Sequence, residues 1–249
     1  MTSPGRVAFS IGSFDVMWYG ILVALGIISV VFVILKRAPK YHGISSDRTL
    51  NIAMFAILGG VIGARLYYVI FSWDYYSQDF ARIFQLREGG LAIHGGLIGG
   101  LIVGLIVCKI YKEKPFNVFD LCFTAIPLGQ AIGRWGNFFN SEAHGGPTEL
   151  PWGIMVDGVK VHPTFLYESV WCLLLFFLLL YIDSNRKFVG QTFLLYCMLY
   201  SVERFVVEGL RTDSLMLFGS FRQAQVLSLA VFAVCLILYI TKRKKKRRK

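Results

Sequence analysis

A chain of 249 residues that is 55% hydrophobic, only 16% charged and has a mean hydropathy of +0.58 is excluded from the ordinary soluble globular class and reads as a membrane protein. The net charge of +11 suggests nucleic acid at first sight, yet eight of the 26 Lys and Arg residues form the tail Lys242 to Lys249. Placed directly behind an apolar run, that tail reads as a cytoplasmic anchor on anionic lipid, and no nucleic-acid partner is expected.

Six clean apolar runs and a seventh less clean one each have about 20 residues, the length that crosses ~30 Å of hydrocarbon at ~1.5 Å per residue. In chain order the predicted spans are Met17 to Leu35, Leu50 to Phe71, Leu91 to Tyr111, Phe116 to Arg134, Thr164 to Ile182, Gly190 to Val207 and Gln223 to Thr241. The fourth is the least clean. Seven spans use more than half the chain, so an all-α polytopic protein is expected, with residues 1–249 as one integral membrane domain and the basic tail 242–249 inside. The stretch before the first span is short and has one basic residue, Arg6, so no cleavable signal peptide is evident.

With the tail inside, an odd number of crossings places the N-terminus outside. The inner segments then hold Lys36, Arg37, Lys40 and Arg48, then Lys109, Lys112 and Lys114, then Arg186 and Lys187, then the tail. The outer side holds Arg6, Arg82, Arg87, Arg134, Lys160, Arg204, Arg211 and Arg222, with Arg65 inside the second span. The excess lies inside, as the positive-inside rule requires.

A charge near the bilayer centre costs ~2.5 to 3.5 kcal/mol on insertion scales and is rarely kept without a partner or a task. Tyr19 opens the first span, Arg65 lies in the later half of the second, His94 opens the third and Arg134 closes the fourth. Tyr167 and Glu168 open the fifth, and Arg204 and Glu208 close the sixth. Since odd spans run inward and even spans outward, all of them fall toward the external side, and one shared polar cavity open to the outer leaflet would account for them. The Asn137 to Pro163 segment is expected as a long outer loop with Gly-Gly-Pro and Leu-Pro-Trp-Gly turns. No internal repeat is visible, which weighs mildly against an inverted-repeat transporter.

Three constellations stand out. The run Gly133-Arg-Trp-Gly-Asn-Phe-Phe-Asn-Ser-Glu-Ala-His-Gly145 gathers Arg134, Asn137, Asn140 and Glu142 at a helix end. A guanidinium suits a phosphate, because its planar fork donates two parallel hydrogen bonds and keeps its charge; the plain alternative is a helix end snorkelling to the interface. In Leu91-Ala-Ile-His-Gly-Gly-Leu-Ile-Gly-Gly100 the glycines allow close helix packing. His94, the only histidine within a predicted span, is either a base or a satisfied interhelical donor. Arg204, Glu208 and Arg211 follow at i, i+4 and i+7, hence on one helical face, as an ion pair at the water boundary, as an anion clamp oriented by Glu208, or as both.

The clustered aspartates of metal-dependent phosphatidyl transferases are missing, as are Gly-x-Ser-x-Gly and paired intramembrane aspartates. Cys108, Cys122, Cys172, Cys197 and Cys235 lie in or beside apolar runs without paired spacing and read as small buried hydrophobes, so no metal site or disulfide framework is expected. Metal-free and cofactor-free chemistry on an anionic lipid remains.

The Gly133 to Gly145 run closely resembles the signature of the bacterial phosphatidylglycerol:prolipoprotein diacylglyceryl transferases. The similarity extends to Trp18-Tyr19-Gly20, His94-Gly95-Gly96-Leu97-Ile98-Gly99, His162-Pro-Thr-Phe-Leu-Tyr-Glu168 and Arg204-Phe-Val-Val-Glu208, covering the first six spans in the family's order. Met17 stands where that pattern has a basic residue. The resemblance implies transfer of the sn-1,2-diacylglyceryl group of phosphatidylglycerol to the lipobox cysteine of a prolipoprotein signal peptide, leaving glycerol 1-phosphate and a thioether. It implies that Arg134 binds the lipid phosphate, that Arg204 with Glu208 assists the leaving group, and that His94 and Tyr19 act as base or in positioning. Asn137, Glu142 and Gly145 would shape the site, at the outer leaflet of the bacterial cytoplasmic membrane. The alternative from another class is a transporter or binding protein for an anionic lipid or solute, using the same arginines without turnover.

Overall fold

A computed structural model describes residues 2–85, 89–217 and 221–247; Arg87, Arg248 and Lys249 of the charge tally lie outside them. Helices α1 (Trp18–Arg37), α2 (Ser46–Phe71), the single turn α3 (Trp73–Tyr76), α4 (Ile93–Ile110), α5 (Pro115–Asn140), α6 (Thr164–Ser184), α7 (Gln191–Glu208) and α8 (Gln223–Arg247) follow in chain order. Three antiparallel hairpins accompany them: β1 (Val7–Ile11) with β2 (Phe14–Met17), β3 (Ile154–Val156) with β4 (Val159–Val161), and β5 (Met216–Leu217) with β6 (Phe221–Arg222). The protein is all-α in class, and six of its described helices are long and apolar enough to cross a membrane.

The seventh long helix, α7, has 18 residues but carries Glu203, Arg204 and Glu208. The difficult span is therefore the sixth and not the fourth. Predicted span four becomes α5, 26 residues long and continuing past Arg134 to Asn140. The loop after it accordingly begins at Ser141 rather than Asn137. It turns away there because Ser141 and Ala143 both adopt left-handed backbone angles, with φ of 54° and 56°.

The chain divides into two compact units, residues 35–118 and residues 1–34 with 119–249. In the first, α2 and α4 meet along glycines. A Cβ built on Gly63 would stand 2.9 Å from the Gly99 Cα, and one built on Gly99 would stand 2.9 Å from the Gly63 Cα. Lipid supplies no hydrophobic drive between helices, so this backbone-to-backbone contact is the source of their association. Arg65, buried at 6% exposure, donates Nε–H to the Ile83 carbonyl (2.8 Å), Nη1 to those of Gly89 and Gly90 (2.7 and 3.0 Å), and Nη2 to those of Arg82 and Gln85 (2.6 and 3.3 Å). All five guanidinium donors are spent on backbone. Arg65 thus fastens the segment leading into α4 and has no donor left for an anion, contrary to its expected place in a shared cavity.

In the second unit, α7 begins at Gly190, which has no side chain to cap the helix. Asp120 of α5 takes that role from another helix: its Oδ2 accepts from the Gly190 N–H at 2.6 Å and its Oδ1 from the Phe193 N–H at 3.0 Å. Arg186 lies 3.4 Å from Asp183 and 4.0 Å from Asp120, balancing two carboxyls that are almost wholly buried. At the opposite end of these helices, Phe138, Phe165, Ile154, Val156 and Val161 form a core under the β3–β4 hairpin. That hairpin closes on Asp157-Gly158, both at positive φ (48° and 79°), as its two-residue turn demands. All five cysteines are free thiols.

Replacing Gly99 with Val should force α2 and α4 apart. Overpacking of this kind costs about 1 to 3 kcal/mol, and a lowered thermal unfolding midpoint in detergent is the expected outcome, with Gly104→Ala, whose Cβ would meet only the Ala56 Cβ at 3.6 Å, as the near-neutral comparison.

Candidate active site

Glu168 lies in the second turn of α6 and is 1% exposed. A carboxylate there needs charged partners, and three arginines supply them. Arg134, from α5, forms an ion pair with its Oε2 and donates to the Tyr200 hydroxyl of α7 at 3.2 Å. Arg204, from α7, places Nη1 at 3.7 Å from Glu168 Oε1 and Nη2 at 2.6 Å from Glu208 Oε2. Arg211 places Nη1 at 3.9 Å from the same Glu168 oxygen.

Arg204 and Glu208 are the i, i+4 pair that their spacing predicts. Arg211 is not on their helical face, because α7 ends at Glu208 and the chain turns through Gly209 and Leu210. Arg211 instead pairs as a bridge residue with Gly145, and its guanidinium returns to Glu168 from that strand-like position. Its Nε and Nη2 hold Asp213 by two hydrogen bonds of 2.9 and 2.7 Å. The bonded Arg211 guanidinium keeps the Asp213 carboxyl below the usual carboxylate range, against the opposing effect of partial burial.

The separations of 3.7 and 3.9 Å satisfy charge but exceed hydrogen-bond length. Arg204 Nη1 has no hydrogen-bond partner among the described residues. With the three guanidiniums 13 to 22% exposed, the cluster is partly reachable and retains an unspent donor on Arg204. That is the chemistry of an oxyanion or phosphate receptor.

The loop between α5 and α6 is held against this cluster. Glu142 Oε1 accepts from the amides of Asn137 and Asn140 at 3.0 and 3.1 Å, pinning the chain as it leaves α5. Gly145 is required by proximity: a Cβ there would lie 2.7 Å from the His162 Cβ and 3.0 Å from the Leu210 carbonyl oxygen, while its N–H bonds to the His162 carbonyl. Tyr19, 43% exposed, lays its ring on Gly136, where a Cβ would come within 2.5 Å of the ring. Arg222 donates to the Glu208 carbonyl. Among the described residues no group of His, Cys, Asp and Glu is arranged to hold a metal ion.

The chain matches the family described as prolipoprotein diacylglyceryl transferase over residues 6–241. It belongs to that family. Phosphatidylglycerol–prolipoprotein diacylglyceryl transferase from Clostridioides difficile (strain 630) is 53% identical over 242 residues, spanning 96% of this chain and 97% of that protein. The enzyme of the same name from Finegoldia magna is 50% identical over 240 residues, 96% of each, and that from Staphylococcus haemolyticus is 45% identical over 248 residues, 95% of this chain and 87% of that one.

In this member of the family, Tyr19, Arg134, Asn137, Glu142, Gly145, Arg204 and Glu208 all belong to one unit. His94 belongs to the other unit, exposed in the first turn of α4, its ring centroid 6.2 Å from that of Tyr67. Sequence reasoning singled out neither Tyr200 nor Glu203. Both were within reach of it: Tyr200 is one turn before Arg204, and Glu203 is the third charge in a span that tolerates few.

Lys at position 134 should not replace the arginine of this family member, since a compact ammonium cannot both pair with Glu168 and donate in parallel to a bound oxyanion. Turnover of Arg134→Lys is expected to fall by ~10² to 10³, the usual loss for one oxyanion donor, in an assay of lipid transfer on protein with unchanged thermal stability.

Proposed function

We propose that this chain transfers the sn-1,2-diacylglyceryl group of phosphatidylglycerol to the lipobox cysteine thiol of a prolipoprotein signal peptide, giving a thioether and glycerol 1-phosphate. The observation that carries the proposal is the cluster of three arginines on Glu168, in a chain whose relatives are named for that lipid and that acceptor. The sulfur lone pair forms the new C–S bond at the glycerol carbon, the C–O bond to phosphate breaks, and its electron pair leaves on the phosphate oxygen. The thiol proton departs to a base. Arg134 holds the phosphate of the lipid, while Arg204, oriented by Glu208, takes the charge that grows on the departing oxygen. Asn137, Glu142 and Gly145 shape the wall, and Tyr19 positions the lipid. The nucleophile comes from the substrate, so the chain's own thiols are spectators.

The N-terminus lies outside and the basic tail lies in the cytoplasm, so the reaction faces the outer leaflet of the bacterial cytoplasmic membrane, where the lipids and emerging signal peptides are met. Purified protein in vesicles of phosphatidylglycerol, given a lipobox peptide, should yield a peptide heavier by one diacylglyceryl group together with free glycerol 1-phosphate. Lipid binding without either product would make the chain a carrier or binding protein.

His94 is proposed as the base for the incoming thiol, whose unperturbed pKa of ~8.5 leaves it mostly protonated at neutral pH. Single-turnover transfer by His94→Gln should be slow near neutrality and rise with pH as the thiol ionises unaided, narrowing the gap to the natural protein. A loss of the same size at every pH would make His94 a positioning donor.

A further inference from the structure

Glu203 is 4% exposed, and neither of its carboxyl oxygens has a hydrogen-bond partner among the described residues. Buried polar atoms are nearly always satisfied, so two unmet oxygens on one side chain mark hydrogen-bonding capacity held for a ligand. The surroundings say which ligand. Glu203 adjoins Arg204 in α7 and is within electrostatic range of Arg134 and Glu168; Tyr200, three residues before it, bonds Arg134. Arg134 lies six residues from the end of α5 and Glu203 five from the end of α7, so each is set back from its helix end by nearly the same length, ~9 and ~7.5 Å at ~1.5 Å per residue.

We propose that Glu203 is the specificity residue for the lipid head group, its two oxygens meeting the two hydroxyls of the glycerol that hangs on the arginine-bound phosphate. The inference rests on the diacylglyceryl-transfer reading above. A phosphate held by Arg134 brings its glycerol substituent within a few ångströms, and a vicinal diol can donate to both oxygens of one carboxyl at once. A site built to bond a hydroxyl also rejects the analogue that lacks it, because its own polar atoms then stay buried and unmet.

The test compares transfer to a lipobox peptide from phosphatidylglycerol and from phosphatidylpropanol, which keeps the phosphodiester and loses both hydroxyls. The unaltered protein should show a KM about tenfold lower for phosphatidylglycerol, the equivalent of one or two hydrogen bonds, with similar kcat. Glu203→Leu should remove the preference, bringing the KM values for phosphatidylglycerol and the analogue together. Glu203→Gln, which keeps one acceptor and adds a donor, should retain most of the preference. Equal KM values for the two lipids in the unaltered protein would overturn the proposal whether or not the variants fold, and so would a Glu203→Leu protein that keeps the preference while losing kcat on both. Transfer from neither lipid by the unaltered protein would instead overturn the reaction itself.

Discussion

The carboxylate of Glu168 is the point on which the larger of the two units turns. A charge at 1% exposure is tolerated only when compensated, and removing compensation from a buried ion typically costs several kcal/mol. Here the compensation is drawn from three separate stretches of chain: α5 through Arg134, α7 through Arg204, and the segment after α7 through Arg211. Each guanidinium would be expensive in hydrocarbon by itself. Gathered on one carboxylate they fix one another, and the packing of α5, α6 and α7 is settled by charge as much as by apolar contact.

Such a cluster must be rigid and yet incomplete. Rigidity comes from the frame: the amides of Asn137 and Asn140 on Glu142, the contact of Gly145 with His162 and Leu210, and the small core of Phe138, Phe165, Ile154, Val156 and Val161. Asp213 fastens Arg211 from the solvent side. Incompleteness comes from geometry, since two of the three arginines approach Glu168 at charge-pair distance without spending a hydrogen bond on that oxygen. A preorganised receptor of that kind has little reorganisation to undergo when an oxyanion arrives.

Much of this was legible in the residues. Hydropathy and length found the helices, because a spanning helix must be apolar for about 20 residues. The rarity of charge in such helices then pointed to Arg134, Glu168, Arg204 and Glu208, which the fold brings together. What stayed hidden depends on partners distant in sequence. Arg65 reads as part of a shared polar cavity until its five bonds to backbone carbonyls are seen. Arg211 reads as a helical neighbour of Arg204 until Gly209 ends the helix. Glu203 could be noticed as a charge but not as one without a hydrogen bond, and the i, i+7 arithmetic carried no warning of either the helix end or the bridge to Gly145.

Asp120 has a bearing on all of this from the far end of α7. A helix could settle at several angles about its own axis, and each residue advances it by about 100°. A rotation by one step would swing Arg204 out of the cluster. The two hydrogen bonds from Gly190 and Phe193 to Asp120 lock the first turn of α7 to α5, and the ten residues between Phe193 and Arg204 carry that phase along the helix. The anchor at the start of α7 therefore sets the azimuth of the charges at its end, in the way the seat of a key decides which edge its teeth present.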